Sequence, residues 1–259
     1  MKVTILGAGA FGTALGEILE RNHYEVVYFD PRISDKTIAE LTMGADYLLL
    51  AVPSAVVAEV VNELPKNIPL IVATKGILTD KIFCEFDDYM VLSGPGFADD
   101  IKAGKETFLT VTDQRIADML AVDYMKFDFT DDKLGVLMCG ALKNVYALLA
   151  GVYNLEKYSP EWDKFISEVA GEMKKILSTN GAKPETVDLA CGIGDLRLTC
   201  ALPSRNYEFG QILSHDKNAK PDKTVEGLTA LDKIKRGEIV VPSDARHLAT
   251  LIEMSEGWA

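Results

Sequence analysis

The sequence predicts an α/β protein in two parts: an N-terminal Rossmann-type, mostly parallel sheet over residues 1–130, then an all-α domain over residues 131–259. Three observations predict it. Short apolar runs alternate with helical-period segments as far as about Thr130, as in a parallel sheet joined by crossover helices. The first run opens directly into Gly7-Ala8-Gly9-Ala10-Phe11-Gly12 and then a helix. Beyond Thr130 no convincing strand follows, and helical period dominates.

Lys2–Leu6 reads as the first strand, and Ala14–Leu19 continues at helical period. Between strand and helix, G-x-G-x-x-G is a dinucleotide fingerprint. Gly7 permits the tight turn, Gly9 lets a pyrophosphate approach the backbone, and Gly12 lets helix and strand pack closely. The N–H groups and positive dipole end of the helix then face the phosphates. A plain turn before a helix is the alternative. The second strand, Glu25–Phe29, ends at Asp30, near the ~20-residue offset at which an acid accepts the ribose hydroxyls of NAD. Arg32 pulls the other way, toward the 2′-phosphate of NADP, so NAD or NADP stays open, with a slight lean to NAD.

Asp46–Val52 is a continuous apolar strand, as expected of one buried on both faces, and Pro53-Ser54 ends it and starts a helix. Pro69–Thr74 follows, with Lys75-Gly76 at its carboxyl end. Tyr89–Leu92 leads into Ser93-Gly94-Pro95-Gly96, and Phe108–Val111 and Lys126–Phe129 are weaker strands. Lys75 and the Gly94–Gly96 loop thus fall at carboxyl ends of strands, where ligands gather in open α/β sheets. Past a boundary near Asp131-Asp132, helical period covers 134–155, 160–179, 205–214, 225–235 and 243–254.

Within Gly135–Leu155, Lys143 is the only charged residue, and apolar side chains fall on every side of the helical wheel. A buried ammonium is costly unless it meets a carboxylate or an anionic ligand. Gly140 and Ala147 lie on the lysine's own face and leave room for something to approach the amine. Two other readings compete. The run is long enough to cross a bilayer, but a mid-helix lysine costs roughly 2.5–3.5 kcal/mol there and no cluster of positive charge flanks it. The lysine could also snorkel to the surface of a core helix. Two further stretches supply what a buried lysine needs. Gly192-Ile193-Gly194-Asp195 offers a carboxylate amid small and apolar residues, and Ser204-Arg205-Asn206 offers donors suited to phosphate or carboxylate. Ser204 also reads as a helix N-cap, which is compatible with binding.

Composition narrows the function classes. Apolar content of 48% and charged content of 25% are globular values and speak against disorder. A net charge of −12 argues against nucleic-acid and anionic-membrane partners, and obliges an anionic substrate to find its positive charge locally. Cys84, Cys139, Cys191 and Cys200 form no CxxC pair, and His23, His215 and His247 show no ligand spacing, so no metal site is expected and reduced thiols are. The N-terminus superficially resembles a signal peptide, but its glycines are spaced for a nucleotide and Glu17 and Glu20 follow.

Taken in order, GAGAFGTAL, AVPS, ATKGI, LSGPGFA, GALKNV, GAKPE, GIGDLRLTC, SRN and VEG resemble the NAD(P)-dependent glycerol-3-phosphate dehydrogenases of bacterial type over most of the chain. The resemblance implies reduction of dihydroxyacetone phosphate to sn-glycerol 3-phosphate, feeding phospholipid synthesis in the cytoplasm. It implies Lys143 as catalytic acid/base with Asn144 beside it, Lys75 on both substrate and cofactor, and Asp195 holding the lysine amine or a substrate hydroxyl. Ser204, Arg205 and Asn206 would bind the substrate phosphate, with Thr199, Gly94 and Gly96 also at the substrate. Ala10, Phe11 and Ala98 would lie against the dinucleotide, Thr224 would also bind the cofactor, Glu226 would sit at its ribose, and Arg205 near it. The chain departs from the family's pattern in being shorter, chiefly between Asp30 and Asp46 and between Lys75 and Ser93. Gly96 stands where the family carries a polar side chain, and the link from Thr199 to Ser204 is one residue short. Two readings stand beside the dehydrogenase: a trimmed NAD(P)-binding relative that is weakly active or non-catalytic, and a two-domain reductase of another small acid, such as ketopantoate or imine reductases. A homodimer through the apolar helices of the second half is a further expectation, with no integral membrane association.

Overall fold

The computed structural model describes residues 1–258. The chain divides into two compact units, Met1–Thr74 with Asp80–Lys133, and Lys75–Thr79 with the chain from Leu134 onward. Residues 75–79 group with the helical unit although they lie between two strands of the other in sequence.

The first unit is built on a seven-stranded sheet of β1 (Lys2–Leu6), β2 (Glu25–Phe29), β3 (Tyr47–Leu50), β4 (Leu70–Val72), β5 (Tyr89–Ser93), β6 (Thr107–Val111) and β7 (Met125–Phe129). Their spatial order is β2-β1-β3-β4-β5-β6-β7, so successive connections from β1 run to opposite sides and open a crevice at its carboxyl end. All neighbours are parallel except β5 and β6, which pair Leu92 with Val111 antiparallel. Helices α1 (Ala10–Arg21), α2 (Ile38–Thr42), α3 (Val57–Glu63), α4 (Ala98–Lys102) and α5 (Gln114–Met119) accompany the sheet. The core joins Leu15, Ile18 and Leu19 of α1 to Ile5, Leu49 and Ile71 of the sheet, all buried.

Several elements differ from the sequence reading. The strand expected over Asp46–Val52 is only Tyr47–Leu50; just beyond it Ala51 N still donates to Leu6 O at 2.8 Å, and Ala51 O faces Gly7 of the glycine turn. The five-residue α2 and α4 and the six-residue α5 were not expected; such lengths do not complete a readable helical period. Thr37 nonetheless marks the start of α2, since its side chain and that of Glu40 form a capping box.

The second unit comprises α6 (Lys133–Val152), α7 (Pro160–Thr179), α8 (Asp195–Thr199), α9 (Arg205–His215), α10 (Glu226–Lys235) and α11 (Arg246–Ser255). The helix expected to reach residue 155 stops at Val152, with Asn154 in a left-handed conformation at φ 49°. Helix α7 has both start signals, a Ser159 hydroxyl accepting from Trp162 N and Pro160 in the first turn. Just before α8 the backbone makes one wide π-type turn, Ala190–Gly194. Such turns are frequent at functional sites, and the residue that follows here is Asp195. Helix α6 is long and apolar enough to cross a membrane, but 94% of its most apolar window is buried within the protein, as in a core helix.

Candidate active site

In the first unit, Gly7 follows β1 and donates its N–H to Phe29 O at 2.8 Å. Its φ is +107°, and a Cβ there would stand 2.6 Å from Ala51 O. A Cβ on Gly12 would collide with Gly7 O, so turn, helix and β3 meet backbone to backbone. Gly9 differs: nothing lies within 4 Å of where its Cβ would be. It is also the N-cap of the 12-residue α1 and supplies no side-chain cap. This open face at a helix N-terminus, beside Ala10 and Phe11, fits a pyrophosphate.

Asp30, 5% exposed, closes the crevice beside this turn. Four donors reach its two carboxylate oxygens: Ala8 N at 3.1 Å, Arg32 N at 3.0 Å, Arg32 Nε at 2.8 Å and Arg32 Nη2 at 2.6 Å. The Arg32 side-chain bond holds the carboxyl well below the ordinary carboxylate range. These contacts fill the roughly four acceptor positions of a carboxylate, so Asp30 is already committed. Arg32 itself is 73% exposed and turns its remaining N–H groups outward.

Gly94, Gly96 and Ala98 lie between the end of β5 and the start of α4, in the same unit. A Cβ on Gly96 would meet Thr107 Cγ2 at 3.1 Å and Ile101 Cδ1 at 3.3 Å, so neighbouring side chains have taken up the space. Just before them, Ser93 Oγ is buried without a hydrogen-bond partner.

The second unit brings together Lys143, Asp195, Lys75 and Thr199. Lys143 does not snorkel. Its side chain is 4% exposed and its Nζ lies 2.5 Å from Asp195 Oδ1. The same amine donates to Thr199 Oγ1 at 3.1 Å, and that hydroxyl donates to Asp195 Oδ1 at 3.3 Å. Lys75 Nζ takes the other carboxylate oxygen at 3.2 Å. One buried carboxylate therefore holds two ammonium groups. Burial pushes the Lys143 amine down to about 7, Asp195 opposes that shift, and Lys75 adds to it. An amine at that value releases and regains a proton near neutrality. The loop carrying Lys75 is pinned from α10, where Lys233 Nζ donates to Gly76 O at 3.3 Å.

Asn144, next on α6, turns away from this cluster and donates to Gly140 O at 3.1 Å. Its Oδ1 accepts from Asn206 Nδ2 at 2.9 Å, and Asn206 Oδ1 accepts from Gly227 N at 2.8 Å. Both amides thus have bonds that tie α6, α9 and α10 together. Gly227 is the residue this link requires, since a Cβ there would lie 2.5 Å from Asn144 O and 2.9 Å from Asn206 Oδ1. Gly227→Ala is expected to lower the unfolding free energy by about 2 kcal/mol, read by urea titration, through loss of this bond and local overpacking. Ser204 is buried and caps α9, its hydroxyl accepting from Tyr207 N. Arg205 and Thr224 are exposed, and Glu226 opens α10.

Comparisons with known proteins agree with one another. Residues 132–238 match the family model described as NAD-dependent glycerol-3-phosphate dehydrogenase C-terminus. The chain is 30% identical to the glycerol-3-phosphate dehydrogenase (NAD(P)+) of Mesorhizobium japonicum, over 99% of this chain and 88% of that one. It is 29% identical to the enzyme of the same name from Brucella canis, over 88% of this chain and 84% of the relative. Among solved structures, glycerol-3-phosphate dehydrogenase from Coxiella burnetii superposes with a TM-score of 0.80 at 23% identity, covering 99% and 97% of the two chains. Ketopantoate reductase from Staphylococcus aureus shares the fold more distantly, with a TM-score of 0.53 at 12% identity.

Proposed function

Because the chain belongs to the glycerol-3-phosphate dehydrogenase (NAD(P)+) family, we propose that it reduces dihydroxyacetone phosphate to sn-glycerol 3-phosphate, reversibly, with NADH or NADPH. The buried Lys143–Asp195–Lys75 cluster is the observation that carries the chemistry. NAD(P)H, when bound on the glycine turn after β1, supplies the hydride that goes to the substrate's carbonyl carbon. As that bond forms, charge gathers on the carbonyl oxygen, and the Lys143 ammonium stabilises it and gives up an N–H proton to make the alcohol. Thr199 and Asp195 hold the amine in place for that transfer. Lys75 keeps a second positive charge beside it, which suits an anionic substrate on a chain whose net charge is −12. Ser204, Arg205 and Asn206, at the start of α9, take the substrate phosphate, with Arg205 as the exposed cation. Binding energy gained there, remote from the reacting carbon, orients the ketone for transfer. The setting is the cytoplasm, with the product entering phospholipid synthesis.

The test is oxidation of NADH and NADPH with dihydroxyacetone phosphate, run beside unphosphorylated dihydroxyacetone. Turnover with the phosphate ester alone is expected. A thermal shift with NAD(H) but no turnover with any phosphorylated triose leaves only a nucleotide-binding relative. The pH dependence has a definite sign. Ketone reduction consumes the protonated amine, so its rate falls as pH rises through about 7, whereas oxidation of glycerol 3-phosphate needs the neutral amine and rises over the same range. Identical profiles in both directions would remove Lys143 as the titrating group.

Coenzyme choice turns on the Asp30–Arg32 pair. While Arg32 fills the acceptor positions of Asp30, a ribose diol finds no free carboxylate oxygen, and a 2′-phosphate meets an exposed guanidinium. Arg32→Ala is expected to raise KM for NADPH about tenfold and to lower that for NADH, because Asp30 is released to the ribose. The ratio of the two KM values measures it.

A further inference from the structure

Glu172 of α7 is a buried carboxylate outside the site just described, 6% exposed. It accepts from the Tyr146 hydroxyl at 3.0 Å, His247 N at 2.8 Å and Leu248 N at 3.3 Å, and His247 Nδ1 lies 3.0 Å from it. These come from α6 and from the first turn of α11, where a carboxylate also meets the positive end of the helix. For stability alone, apolar groups of similar volume often serve as well as a buried hydrogen-bonded carboxyl group. What it holds is informative. Tyr146 stands three residues after Lys143 on α6, so the two side chains project from neighbouring positions on one helix face. Ten residues earlier on α7, Trp162 Nε1 donates to Cys200 O at 2.8 Å, and Cys200 is the C-cap of α8, the helix of Asp195 and Thr199. Helix α7 is thus hydrogen-bonded both to the helix that carries the amine and to the helix that carries its acceptors.

We propose that Glu172, acting through the Tyr146 hydroxyl, is a positioning residue that sets the rotation of α6 and so holds Lys143 on Asp195 and Thr199. The inference rests on the proposed dehydrogenase for its kinetic consequence, but not for its structural one. The groups facing the amine are Asp195, Thr199 and Cys200 of the α8 segment and Lys75 of the 75–79 segment. If α6 relaxes, the amine moves away from Asp195, the one charge that favours its protonation, and its titration midpoint falls.

The test follows the Lys143 midpoint directly, by NMR of [ε-13C]lysine protein with the signal assigned from its loss in Lys143→Met. Tyr146→Phe removes only the hydroxyl. It is expected to lower the midpoint and to cut kcat for ketone reduction about tenfold at unchanged KM, a misplacement effect. Glu172→Gln keeps an oxygen for Tyr146 but loses acceptors for α11; it is expected to melt lower while the midpoint and kcat stay at wild-type values. Glu172→Met loses the acceptor altogether and is expected to reproduce the Tyr146→Phe shift. Should Tyr146→Phe not fold, the Gln and Met pair decides the matter. Variants that melt lower yet all keep the wild-type midpoint and kcat would overturn the proposal. Wild-type protein whose lysine titrates but which does not oxidise NAD(P)H with dihydroxyacetone phosphate overturns the dehydrogenase reading instead, and the midpoint comparison still stands.

Discussion

Lys143→Met is expected to lose about three orders of magnitude in kcat for reduction of dihydroxyacetone phosphate, while KM for the coenzyme and the melting temperature change little. The kinetic loss combines removal of a general acid, worth about 10²–10⁴ by itself, with loss of a cation at the developing alkoxide. The small stability change has a separate reason. Removing one member of a buried ion pair is ordinarily severe because the other charge is left alone. Here Asp195 keeps Lys75 at 3.2 Å and the Thr199 hydroxyl, so its charge stays compensated. Methionine also refills the space within a helix whose neighbouring side chains Leu142 and Val145 are fully buried. Steady-state oxidation of NADH and NADPH, with a thermal melt on the same preparation, checks both halves. Wild-type turnover in the variant would assign the proton to another group, and a collapse in melting temperature would mean that Lys75 does not compensate Asp195.

Lys143 shows why some of this was legible in the sequence and some was not. A single charge in an apolar run is a local anomaly, visible without knowing what surrounds it. The same holds for the glycine turn, where strand, spacing and helix lie within one short stretch. Snorkelling was a fair competitor at that level, and only the closeness of Asp195 to the amine excludes it. Gly227 could not be singled out from its neighbours, because the atoms that forbid a side chain there belong to Asn144 and Asn206, far away in the chain. The motifs mark Asn144 and Asn206, but that their amides bond each other and Gly227 N depends on how α6, α9 and α10 pack. Glu172 was invisible for a related reason. In an amphipathic helix rich in acids, nothing local separates a solvated glutamate from one that caps a distant helix. The short α4 and α5 escaped because five or six residues cannot display a period.

Asp195→Asn is expected to have the largest effect on stability, and its pH dependence is the sharper part of the result. The substitution leaves two amines facing each other, one of them 4% exposed, without the carboxylate charge that both contact. Breaking a buried pair in this way costs about 3–5 kcal/mol when the remaining charge must stay ionised. Lys143 escapes part of that cost by losing its proton, because Asp195 is the influence that raises its value and burial and Lys75 both lower it. Its folded midpoint in the variant therefore lies below the wild-type value of about 7. Between the folded midpoint and the ordinary lysine value of 10.5, the native state binds fewer protons than the unfolded chain, so this group's contribution to stability rises with pH. That window opens at lower pH in the variant than in the wild type. The deficit caused by Asp195→Asn is thus greatest below the variant's midpoint, and narrows by about 1.4 kcal/mol per pH unit until the wild-type lysine also deprotonates near 7. Urea titrations of both proteins at several pH values measure the difference, and a deficit that does not change with pH would show that Lys143 is not the proton it depends on. Reduction by the variant should also fail at neutral pH and recover partly in acid, where the amine regains its proton.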